Sequence, residues 1–184
     1  MSADALEAVL RSKGLPLSAA IQEWYLLAGR WNQRGIPHWI APELLAVDEG
    51  VITVLADVHG VESWVVRCED QGLDDPPVFA AFETSEVAFP SFSQFVAAMI
   101  VNEVLVEAAS EGTMVDIGHD AWARVRASLT PIVSSSCGEF LADAPLESAT
   151  VVIFKYPGDG PTMCRSRTPE GQRWLERLRG AGAV

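Results

Sequence analysis

Apolar residues recur every three to four positions in some stretches of the chain and crowd together in shorter runs elsewhere, which predicts helices interspersed with strands. ADALEAVLRSKG (3–14) puts Leu6, Val9 and Leu10 on one side of a short helix. LPLSAAIQEWYLLAG (15–29) repeats the spacing through Leu17, Ile21, Trp24, Tyr25 and Ala28. Pro16 suits a first helical position, where its missing N–H costs nothing, and Gly29 suits the position past the end. Residues 30–50 read as mostly irregular. VITVLAD (51–57) is apolar on both faces, as an interior strand is, and ESWVVRC (62–68) returns after a turn at Gly60. EDQGLDD (69–75) reads as a loop. PPVFAAF (76–82) restarts extended chain, because a residue before proline is pushed out of the helical region.

The strongest helix signal follows. Ser91-x-x-Gln94 has the spacing of a capping box, and Phe92, Phe95, Val96, Met99 and Ile100 form one face, widened by Val101, Val104 and Leu105. Beyond Gly112 the pattern weakens. DAWARVRASL (120–129) fits a short helix, TVVIFKYP (150–157) a strand, and TMCRSR (162–167) its return. Thr168-Pro169-Glu170 opens a last helix carrying Trp174, Leu175 and Leu178, with Gly180 past its end. The expected class is α+β: a single domain over 1–184, with helices packed on a largely antiparallel sheet.

Composition narrows what such a fold can do. The 184 residues carry a formal net charge of −12, which repels phosphate backbones and anionic lipid and speeds encounter with basic partners. Nucleic acid and membrane are therefore not expected as partners; a protein is. Cys68, Cys137 and Cys164 are odd in number and widely spaced, which fits reduced thiols and a cytoplasmic location. The first residues lack a basic leader with a long apolar run, so no signal peptide is expected. FVAAMIVNEVLVEAA is interrupted by Asn102 and Glu103 and reads as a buried helix rather than a membrane span.

Candidate chemistry is sparse. Glu69, Asp70, Asp74 and Asp75 put four carboxylates into seven residues. The spacing is not that of a calcium loop, and Pro76 and Pro77 remove two backbone donors. The plain reading is an acidic loop whose prolines set the entry of the next strand. His38, His59 and His119 are far apart with no HxH or HExxH pattern, so no metal site is expected. SSSCG (134–138) lacks the context of a nucleophile elbow, and a reactive Cys137 would need a base such as His119. YPGDGP (156–161) has neither phosphate-loop pattern and reads as a hairpin loop. No cofactor is expected. Trp24, Trp64, Trp122 and Trp174 fall in predicted elements as core anchors. Trp31 and Trp39 flank an irregular segment, where they either pack beneath it or stand exposed for a partner.

The order of the pieces carries a resemblance. GLPLSAAIQEWYLLAG resembles the helix, begun by Leu-Pro and ended by Gly, that opens domains of the SUKH superfamily. VITVLADVHGVESWVV is similar to its next signature, an apolar strand, an acidic residue, a short turn and a strand carrying Trp. DDPPVF is similar to its strand entry, and SFSQFVAAMIVNEVL to the helix that follows. Together these cover about residues 14–107. Ala28 stands where members often have Asn, and Asp57-Val58-His59 stands in place of the acidic-Asn-Gln turn.

The resemblance implies a non-enzymatic α+β domain. Bacterial relatives include immunity proteins that neutralise polymorphic toxins, often nucleases, and fungal relatives regulate cell-wall assembly through protein contacts. The expected function is an immunity-type protein whose acidic surface meets a basic toxin domain. A regulatory or scaffold protein without a toxin is the alternative, and a small enzyme using Cys137 and His119 is a third. The expected contact residues are Asp57, Glu62, Glu69, Asp70, Asp74 and Asp75, with Trp31 and Trp39 as anchors. The oligomeric state is not legible in the chain.

Overall fold

The computed structural model describes residues 1–28, 38–56, 63–107, 113–115, 119–135, 138–144, 149, 151–155, 158, 162–166 and 168–181. Two compact units make up the chain, Met1–Val96 and Ala97–Val184.

The first unit opens with α1 (Ala3–Lys13), which buries Leu6 and Leu10. Ser2 caps it by accepting the Ala5 N–H, and Gly14 closes it in the left-handed conformation at φ 63°. α2 (Ala19–Ala28) buries Ile21, Trp24 and Tyr25. Five strands are followed by an edge strand: β1 (His38–Trp39), β2 (Val47–Asp48), β3 (Val51–Ala56), β4 (Ser63–Arg67), β5 (Val78–Ala80) and β6 (Glu83–Phe89). They form one antiparallel sheet in the order β1-β3-β4-β5-β6, with β2 also paired to β3. β1 pairs with Leu55 and Ala56, and β2 with Val51 and Ile52. β3 is interior, and its Ile52, Val54 and Leu55 are fully buried, as a strand apolar on both faces requires.

α3 (Phe92–Glu107) begins in this unit. Phe92, Phe95, Ala98 and Val101 are its buried line, spaced every three residues, while Val96, Met99 and Ile100 are half-buried. An aromatic cluster fills the core. Trp39 lies 4.6 Å from Trp24 and 5.5 Å from Phe95, and Trp64 lies 5.6 Å from both Phe89 and Phe95, between ring centroids. Such tilted and edge-on pairs each contribute about 0.5–1.5 kcal/mol beyond area burial.

The second unit contains β7 (Thr113–Val115), α4 (His119–Ser128), β8 (Thr130–Ser135), β9 (Gly138–Ala142), β10 (Val151–Lys155), β11 (Thr162–Ser166) and α5 (Pro169–Ala181). Its strands form an antiparallel sheet in the order β7-β11-β10-β9-β8. Val125 of α4, Leu175 of α5 and Val151, Ile153 and Cys164 of the sheet make its core, with Trp122, Leu129 and Trp174 packed against it. A bidentate ion pair ties α4 to β9: Arg126 Nε and Nη2 reach the Glu139 carboxylate at 2.9 and 3.0 Å. Gly138 has φ 145°, and a side chain there would sit 2.5 Å from the Phe154 ring. That ring stacks on Phe140 at 4.4 Å.

The class is α+β with antiparallel sheets, as the sequence pattern predicts, but the strands divide between two sheets. Three local expectations are corrected. Pro16 precedes α2 instead of opening it: Ser18 N–H is taken by Gln71 Oε1 at 3.0 Å just before the helix, and the first-turn Ala20 N–H donates to the Asp74 carbonyl at 2.9 Å. Gly180 lies inside α5, which runs to Ala181. The 30–50 segment contains two short strands, which take their order from pairing with β3 rather than from their own pattern.

Candidate partner-binding surface

The segment between β4 and β5 forms the most distinctive surface of the first unit. Cys68–Gly72 is a short 3-10 helix, and Gln71, its buried member, fastens it. Gln71 Oε1 accepts from Ser18 N–H, and its Nε2 donates to the Arg67 carbonyl at 3.1 Å. The Asp74 carbonyl then takes the Ala20 N–H at the start of α2. Asp75 Oδ1 accepts from Ser93 N–H at 2.9 Å, and Ser91 Oγ accepts from Gln94 N–H at 3.2 Å. The segment therefore serves the first turns of two helices, where unpaired N–H groups and the helix dipole favour a carboxylate. Asp75 is a helix-capping residue. The Ser91–Gln94 spacing makes the first bond of a capping box.

With the backbone fixed this way, the remaining carboxylates differ in exposure. Glu69 and Asp74 are exposed and Asp70 is half-buried. Among the described residues, Asp70 Oδ2 is buried without a hydrogen-bond partner, as is Ser18 Oγ. Two more carboxylates arrive from the β2–β3 turn. Asp48 pairs with Val51 across Glu49 and Gly50, whose φ values are 47° and 82°. Positive φ at both central residues matches the tight hairpin turn that follows the strand twist. Cys68 N–H donates to the Gly50 carbonyl at 2.8 Å, which sets the Asp48–Glu49 turn beside the start of the 3-10 helix.

The Asp48–Glu49 turn thus lies beside the segment that carries Glu69, Asp70 and Asp74, and Val47 and Leu73 of these two segments are each 51% exposed. Arg67 is the cation nearest by sequence, and it is occupied. Its guanidinium lies 4.0 Å over the Phe79 ring, pairs with Glu69 at 3.3 Å and donates to the Thr84 carbonyl.

Glu69, Asp70 and Asp74 lie on the segment between β4 and β5, and Asp75 takes a capping role at the start of α3. Trp39 is half-buried in the aromatic cluster, held by Trp24, Phe92 and Phe95. Trp31, Asp57 and Glu62 lie outside the described residues. Asp48, Glu49, Val47 and Leu73 were not singled out from sequence. The Glu-Gly step between Asp48 and Val51 was the available signal for the turn, but its nearness to Glu69 comes only from the fold.

Elsewhere the chemistry is plain. Burial pushes the Cys164 thiol up to about 12, which keeps it protonated and unreactive at neutral pH. Cys68 is a half-buried free thiol. His119 opens α4, and Cys137 and His59 lie outside the described residues. Ser135 of β8 pairs with Gly138 of β9, and Lys155 of β10 with Thr162 of β11. Among the described residues, no group of three or more His, Cys, Asp or Glu side chains is placed to hold a metal ion, and no helix is long and apolar enough to cross a membrane. No family model, no curated protein and no solved structure matches the chain.

Proposed function

We propose that this chain is a non-enzymatic protein-binding module of the SUKH type, acting as an immunity protein that captures a basic toxin domain on its acidic edge. The observation that carries the reading is the juxtaposition of the Asp48–Glu49 turn with Glu69, Asp70 and Asp74 around the exposed Val47 and Leu73. Charge distribution supports it. Residues 1–96 hold 14 acidic and 5 basic side chains, a net of −9, against 11 and 8 in residues 97–184, a net of −3. The acidity is concentrated in the unit that carries the edge.

A negative edge steers a positive partner into register, and apolar side chains inside the charged rim supply the desolvated contact. The backbone bonds around Gln71 and Asp74 hold the carboxylates in place before binding, which lowers the ordering cost. A toxin that cleaves nucleic acid has a groove built for phosphate, and that groove is a fitting counterpart. Free thiols at Cys68 and Cys164 accord with a reducing compartment, and we place the protein in the cytoplasm.

The test is affinity capture from the native host followed by mass spectrometry, with wild-type protein and an Asp70→Lys/Asp74→Lys variant side by side. A basic protein held by the first and lost by the second supports the reading. Partners retained equally by both contradict it.

A further inference from the structure

The second unit holds a cleft of about 280 Å³, at the small end of ligand sites. Half-buried Leu129 and Trp174 and buried Val151 give it an apolar lining, and Asp143, Glu170 and Arg177 are its charged members. Trp174 and Arg177 stand at i and i+3 on α5, so they share one face of the helix and border the cleft together.

What the polar groups already do decides what is left for a ligand. Asp143 is engaged with Val151 through both backbone and side chain. Its N–H donates to the Val151 carbonyl at 3.4 Å, and its Oδ1 accepts the Val151 N–H at 3.1 Å. Glu170 accepts from Arg173 Nη2 at 2.7 Å, and the guanidinium offsets its charge to the extent a surface pair does. The donors are in a different state. Among the described residues, Arg177 makes no hydrogen bond or ion pair, and the Trp174 indole N–H makes no hydrogen bond. A guanidinium carries five N–H donors in a planar fork, and the indole adds one. The cleft therefore joins engaged acceptors, unused donors and an apolar wall.

That combination is matched to a ligand that accepts hydrogen bonds at one end and is apolar over the rest. We propose that this cleft binds a small organic acid with an apolar body, an aromatic or branched-chain carboxylate. The carboxylate takes the Arg177 guanidinium as a two-pronged pair, and the body covers Leu129, Val151 and the open part of Trp174. An inorganic anion would leave the apolar lining in water. A cation would leave the guanidinium unmatched and meet it as a like charge. This site is independent of the acidic edge in the first unit.

The experiment titrates the full chain with phenylacetate and 4-methylpentanoate, with the neutral amide of each, and with the cation 2-phenylethylamine. Binding is followed on the Trp174 indole N–H resonance, identified with Trp174→Phe. At least one acid is expected to bind saturably and its amide about tenfold more weakly, a difference of about 1.4 kcal/mol. The cation should bind no better than the amide. Arg177 is exposed and glutamine is a good helix former, so Arg177→Gln keeps the fold. It should bring the acid down to the level of its amide and leave the amide unchanged. Saturable binding of neither acid overturns the proposal. So does an amide or the cation binding as tightly as the acid, or Arg177→Gln acting equally on acid and amide.

Discussion

Replacing Gln71 with Ala tests whether one buried amide holds the acidic edge in shape. Gln71 is 8% exposed and Ser18 only 3%, so neither the lost side chain nor the N–H it served is reached by solvent. Two hydrogen bonds disappear, the one from Ser18 N–H at 3.0 Å and the one to the Arg67 carbonyl at 3.1 Å. Each is worth about 1 kcal/mol net, and the Ser18 N–H left buried and unpaired adds about 1–3 kcal/mol. Among the described residues, Ser18 Oγ is also buried without a hydrogen-bond partner. The expected cost is about 3 kcal/mol, or a fall in Tm of about 9 °C for a chain of this length.

Urea unfolding followed by tryptophan fluorescence measures the loss, since Trp24, Trp39 and Trp64 all report on the first unit. Gln71→Glu keeps the acceptor for Ser18 N–H and loses the donor to Arg67, so it should fall between wild type and Gln71→Ala. A Gln71→Ala protein within about 0.5 kcal/mol of wild type, the range of ordinary surface changes, would refute the claim that this residue fastens the loop.

Three further outcomes are expected. Gly138→Ala should destabilise by at least about 2 kcal/mol in the same unfolding assay, because φ 145° suits glycine and the added carbon meets the Phe154 ring at 2.5 Å. Asp75→Ala should cost about 1 kcal/mol through loss of the Ser93 N–H bond at the start of α3, with Asp75→Asn closer to wild type. Cys164, with its thiol raised from 9.0 to about 12, stays protonated in the folded chain while the unfolded chain ionises. Its contribution is therefore intact below about pH 9 and lost as the pH rises toward 12, with a slope of up to about 1.4 kcal/mol per pH unit. Stability curves of Cys164→Ala and wild type should converge over that window, and parallel curves would count against the assignment.

The elements most legible in sequence were those whose own residues carry the pattern. β3 and β4 are dense in Val and Leu, α3 has its Ser91 cap, and α5 opens at Thr168-Pro169, where Thr168 Oγ1 accepts the Gly171 N–H at 3.1 Å. β8 and β9 are not legible in sequence because Thr130–Ser135 contains a proline and three hydroxyls, and of its six residues only Val133 is buried. The proline there is tolerable because β8 lies at the edge of its sheet. The start of α2 was misplaced because Gln71 and Asp74, more than fifty positions away, decide where it begins.

The candidate surface shows the same division. Glu69, Asp70, Asp74 and Asp75 announce themselves as a run of charge, but nothing local separates the capping Asp75 from its exposed neighbours. The Asp48–Glu49 turn joins them only through the bond between Gly50 and Cys68. Trp174 lines a cleft with Leu129 past the end of α4, Asp143 past β9 and Val151 of β10, residues that only the fold brings together, so the sequence pattern reads that tryptophan as core alone.

The most direct measurement of the central claim is the association rate of the captured partner as a function of ionic strength, for wild type and for a variant carrying Asp48→Lys, Asp70→Lys and Asp74→Lys. An acidic edge that steers a basic partner predicts a wild-type rate that falls steeply with salt, and a variant rate at least about tenfold slower at low salt and nearly flat. Equal rates with the same salt dependence in both proteins would contradict it.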